Sequence, residues 1–87
     1  MENEVVILFV APTGEAMIPV SKVTAFGAEV SHVPNHNSGT VFVHFNGGHI
    51  VANVHNKELA VASILTVIRT RSDDAVLYCH GFKLSPT

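Results

Sequence analysis

The chain has 87 residues, 47% of them hydrophobic and only 14% charged, with a formal net charge of −2. That length supports a single domain, residues 1–87, with one modest core, because a chain of this size buries only roughly 60% of its unfolded surface. Five Lys and Arg against seven Asp and Glu leave no basic stripe to track a nucleic-acid backbone, and the scattered acids do not imitate one. The charged share is well below the roughly 25% usual in soluble domains, so apolar surface is expected to remain for another copy or a partner to cover. Cys79 is the single cysteine, which excludes an intrachain disulfide and fits a reducing, cytoplasmic setting. The apolar run at residues 5–10 is too short to span a bilayer, and the acidic Glu2 and Glu4 before it are wrong for a secretory leader, so no membrane partner is expected.

Taken in chain order, Val5-Val6-Ile7-Leu8-Phe9-Val10 is short and β-branched and is closed by Pro12-Thr13-Gly14, which predicts a strand ending in a turn. It lacks alternation and so must be covered on both faces, by the domain's own helix on one and a neighbouring subunit on the other. Residues 16–20 resume an extended segment that Pro19 marks as an edge or bend, and Ser21-Lys22 forms a corner. In residues 23–33, Phe26, Ala28 and Val30 alternate with Gly27, Glu29 and Ser31, the period of a half-buried strand. Residues 34–39, Pro-Asn-His-Asn-Ser-Gly, are nearly all turn formers and predict a loop.

Two apolar runs, residues 40–45 and 48–55, flank Asn46-Gly47 and predict a hairpin with a type I′ turn. That register opposes Val43 to Ile50 and Val41 to Ala52 on one face, and His44 to His49 and Phe42 to Val51 on the other. The first face, with Phe45 and Val54, is the predicted core. Asn56 is placed to cap a helix opening with Lys57-Glu58, on which Ala60, Val61, Ile64, Leu65, Val67 and Ile68 share one arc. Arg69 and Arg71 suit its C-terminal end, Ser72-Asp73-Asp74 breaks it, residues 75–79 read as a last strand and residues 83–87 as a tail. The expected fold class is α+β: an antiparallel sheet of about five strands with one amphipathic helix on one face, in the order ββββαβ.

From residue 5 to residue 71 this outline resembles small bacterial and phage proteins of the flagellar-operon FlbD type. The resemblance is carried by the first strand, Thr13-Gly14-Glu15, the Pro19-Val20-Ser21-Lys22-Val23 corner, the Asn-Gly hairpin and the closing helix. It implies a small interaction or regulatory protein that self-associates. The loop at residues 34–39 and everything after Arg71 depart from that outline.

Six histidines are the one compositional anomaly. His44 and His49 face one another across the hairpin, and His55 or His80 could add a third imidazole, so a histidine-based metal- or small-ligand-binding protein is the alternative function. No spacing matches a closed zinc motif, however, and two facing imidazoles leave half a tetrahedral shell unfilled. The expectation is therefore polar surface, no metal site, no cofactor and little stabilisation by zinc. No nucleophile–base–acid arrangement or phosphate loop is evident; Cys79 and His80 should point to opposite faces of a strand, so no catalytic residue is assigned. The expected function is a non-enzymatic homo-oligomer that binds or inhibits a protein partner, a phage-encoded inhibitor of a host enzyme or immune complex being one form of it. The expected partner-binding residues are His32, Asn35, His36 and Asn37 on the polar loop, and Phe42 and Val51 on the outer sheet face.

Overall fold

A computed structural model describes residues 4–29 and 38–86. Its elements are β1 (Val6–Ala11), β2 (Gly14–Pro19), a 3₁₀ turn (Val20–Lys22), β3 (Val23–Ala28), β4 (Gly39–Phe45), β5 (Gly48–Val54), α1 (Lys57–Thr70) and β6 (Ala75–Pro86). The fold is α+β as expected, but the sheet has six strands in the order β2-β1-β6-β5-β4-β3, and it is mixed: β1 runs parallel to β6 while every other pair is antiparallel. Five strands therefore precede the helix. The additional one is β2, which the sequence marks only as an edge or bend. Pro19 sits at its last position and on the sheet edge, where the missing N–H disturbs little, and Ile18 is in the core.

β2 and β3 are the two edges of the sheet, yet only the three residues Val20–Lys22 join them. The sheet must therefore curl until its edges approach. Val20 N–H donates to the Val5 carbonyl (3.0 Å), and Asn46 N–H donates to the Lys22 carbonyl (2.9 Å), tying the turn to both halves. Inside the curl, Ile7 and Phe9 of β1, Val41 and Val43 of β4, Ile50, Ala52 and Val54 of β5, and Ala75, Leu77 and Cys79 of β6 are buried together with Ile18 and Val20. α1 adds Ala60, Ile64 and Val67 to that cluster; Val61 and Ile68 flank it, and Leu65 of the expected arc is exposed. The predicted hairpin core is buried except for Phe45, which is half-buried.

The hairpin has the predicted register, including His44 opposite His49 and Phe42 opposite Val51. Its turn differs from the expected type I′: Gly47 has φ +117°, whereas Asn46 keeps a negative φ, the sign pattern of a type II turn. Asn46 N–H also bonds to the Lys22 carbonyl, which ties the turn to β3 one residue beyond the β3–β4 ladder.

The segment read as a strand at 75–79 and a tail at 83–87 is one twelve-residue strand through Pro86. Residues 75–78 pair with β1, and residues 79–86 pair with β5 from Val54 back to Gly48. Its distal half, in which Phe82 and Leu84 alternate with Lys83 and Ser85, is held by the ladder to β5; Phe82 packs against the core and Leu84 stays exposed. β3 is described only to Ala28, with Glu29 N–H still bonded to the Thr40 carbonyl (2.8 Å); the predicted continuation to residue 33 and most of the predicted loop lie outside the described residues.

Candidate functional site

Two outward faces of the sheet carry the chain's unusual surface chemistry. On the first, β2, β1 and the proximal half of β6 align in register as Met17–Leu8–Val76 and Glu15–Val10–Tyr78, with Val6 beside Pro19. Met17 is 64% exposed, Val76 41% and Tyr78 65%, while Val6, Leu8 and Val10 are half-buried. This is the uncovered side of the first strand. The apolar surface continues round the edge of β6 to Leu59 on α1, where a small concavity of 160 Å³ is lined by Leu59, Ser63, Val76 and Tyr78. At the base of β1, Asp74 accepts a hydrogen bond from Val6 N–H (2.9 Å), so this acid secures the β1–β6 junction in addition to following the helix.

The second face belongs to β3, β4 and β5. Phe42 and Val51 lie side by side on it; Phe42 is half-buried and Val51 exposed. The Phe42 ring covers Gly27 of β3 so closely that a Cβ there would stand 2.7 Å from the Phe42 Cζ. Next along the strands, His44 and His49 have ring centres 5.3 Å apart, and Phe42 meets the His44 ring edge-on at 5.6 Å. Glu29, Thr40, Phe42, His44, His49 and Val51 rim one open depression. A separate pair, His55 and His80, brings its ring centres to 4.0 Å at the other end of β5.

Of the expected partner-binding residues, Phe42 and Val51 are therefore brought together on one face, while His32, Asn35, His36 and Asn37 lie outside the described residues. Met17, Val76, Tyr78 and Leu59 stand outside the expected set. The alternation of Val76, Tyr78 and His80 with the core residues Ala75, Leu77 and Cys79 could have revealed the β6 members.

Cys79 and His80 point apart as expected: the thiol is in the core, hydrogen-bonded to the Leu77 carbonyl (3.4 Å), and His80 is exposed. Burial pushes the Cys79 thiol above its usual range, opposed in part by a backbone hydrogen bond involving Val10. That is the wrong direction for a nucleophile. Among the described residues no cluster of three or more His, Cys, Asp or Glu is placed to hold a metal ion, and no helix is long and apolar enough to cross a membrane. No family model matches the chain, and comparisons with curated proteins and with solved structures likewise return no match.

Proposed function

We propose that this chain is a non-catalytic binding and regulatory protein that self-associates through the outer face of β2, β1 and β6 and engages a protein partner through the face carrying Phe42 and Val51. The observation that carries the reading is the row Met17–Leu8–Val76 with Tyr78 beside it, in which Met17, Val76 and Tyr78 are open to water around a half-buried Leu8. Each such side chain contributes roughly 1.5–3 kcal/mol when fully buried. In a two-fold interface every contact occurs twice, so this row can offset the roughly 4–15 kcal/mol that association costs. The segment with His32, Asn35, His36 and Asn37 follows β3, the strand paired with β4, and belongs to the partner side of the proposal. A cytoplasmic regulator of the FlbD kind, or a phage-encoded inhibitor of a host enzyme or immune complex, is the biological form this reading favours.

The partner half is tested by retention from an extract of cells that naturally carry the protein. The wild-type chain should retain one polypeptide in stoichiometric amount, and Val51→Glu should release it without lowering the melting temperature. Equal retention by both forms, or none by either, would contradict the assignment of this face.

A further inference from the structure

Against the expectation of plain polar surface, we infer that His44 and His49 form an open, two-nitrogen site for a divalent transition-metal ion on the outer face of the β4–β5 hairpin, its unfilled positions making it an exchangeable site. The argument begins with spacing. A Zn–N bond is about 2.0–2.1 Å, which puts each imidazole centre roughly 3 Å from the metal, and a tetrahedral angle then separates two such centres by roughly 5 Å. The His44 and His49 ring centres are 5.3 Å apart, with the ring planes tilted by 36°. The other pair, His55 and His80, has centres only 4.0 Å apart, tighter than two imidazoles on one tetrahedral ion require, and is better described as ring-on-ring packing.

The backbone fixes the pair as well. His44 and His49 are directly opposed, one step inside the two-residue turn, where alternation of the ladder makes them the non-hydrogen-bonded kind of pair whose side chains approach most closely. β3 and β6 hold this hairpin from both sides, and the Phe42 ring against His44 restricts where that imidazole can swing. His44 is exposed and His49 half-buried, so an ion can reach both. Across the neighbouring ladders, His44 is opposite Ala25 and His49 is opposite Ser85, and among the described residues no third His, Cys, Asp or Glu joins the pair, so water or a donor atom brought by a partner would complete the shell. The chemistry is that of an exchangeable site, not a closed structural one. Imidazole donors accept copper(II), nickel(II) and zinc(II), in the order of affinity that places copper first.

The test uses the metal ions alone, titrated as chlorides into the full chain in slightly alkaline buffer, by calorimetry and by ¹⁵N NMR of the imidazoles with zinc. The tightest step should take one ion per chain, bind copper more tightly than zinc, and shift the His44 and His49 ring signals first. His44→Asn with His49→Asn should weaken that step by about tenfold or more, since the second imidazole acts as an intramolecular ligand. A chain in which His32, His36, His55 and His80 are all Asn, keeping only this pair, should retain the step. Wild-type affinity in the His44/His49 double variant would overturn the inference. So would loss of binding in a folded four-Asn chain.

Discussion

Gly48 occupies the tightest backbone approach among the described glycines: a Cβ built on it would lie 2.4 Å from the Ser85 carbonyl oxygen and 3.1 Å from the Pro86 Cα. Both obstacles are main chain of β6, so a methyl group can be accommodated only by parting β5 from β6. Gly48→Ala should therefore destabilise the fold by about 1–3 kcal/mol in urea unfolding, the usual range for overpacking; an unchanged midpoint would show that the strands are not this close. Gly47, one residue earlier, is needed for its φ of +117°, since a Cβ there would meet only the Phe45 ring at 4.0 Å. Sequence alone does not separate these roles, because Asn-Gly-Gly reads as turn chemistry throughout and the β6 backbone that fills the space comes from a segment resembling a tail. The His44–His49 pairing, in contrast, follows directly from the turn position and strand period, and was legible. At 1% exposure, with its thiol pushed up by burial, Cys79 should resist thiol reagents in the native state and react fully in denaturant. A raised thiol keeps its proton longer in the folded chain, so its contribution to stability is complete at neutral pH and is lost as pH climbs above the ordinary thiol range. Rapid native labelling at neutral pH would place Cys79 at the surface instead.

The helix shows how far local rules reach. The Asn56 side chain accepts from Leu59 N–H at 3.0 Å, and Glu58 lies in the first turn, as the sequence implies. Asn56→Ala should cost about 1 kcal/mol, the common loss for a side-chain cap. At the other end, Arg71 closes the helix in the left-handed region at φ 49°, donating its N–H to the Val67 carbonyl (2.9 Å). A side chain is strained there, so Arg71→Gly should raise stability by a few tenths to about 1 kcal/mol; a loss in a thermal melt would show that the arginine side chain matters more than the strain. The hairpin and helix were legible because their signals are local: a turn dipeptide, a cap, a period. β6 was not. Its parallel pairing with β1 joins the two ends of the described chain, Val6 N–H bonding to Asp74 across 68 positions, and no local pattern distinguishes parallel from antiparallel neighbours in Ala-Val-Leu-Tyr. The distal half, Gly-Phe-Lys-Leu-Ser-Pro, is a strand because β5 offers it a ladder.

For the molecule as a whole, the decisive feature is a sheet curled round its core with a helix on the inward side and apolar residues on the outward side as well. The low charge content follows from this arrangement: a net charge of −2 opposes association only weakly, and few charges are available to interrupt the Met17–Leu8–Val76 row. Met17 and Tyr78 are exposed enough that charged replacements should leave the core untouched. The most direct measurement is the mass in solution by light scattering after size exclusion, across a micromolar concentration series, for the wild-type chain and for Met17→Glu combined with Tyr78→Lys. The wild-type mass should be a multiple of 9.3 kDa, and the variant should melt like wild type but run as a monomer. A wild-type mass of 9.3 kDa throughout the series, or an oligomer that the double variant leaves intact, would contradict self-association through this row.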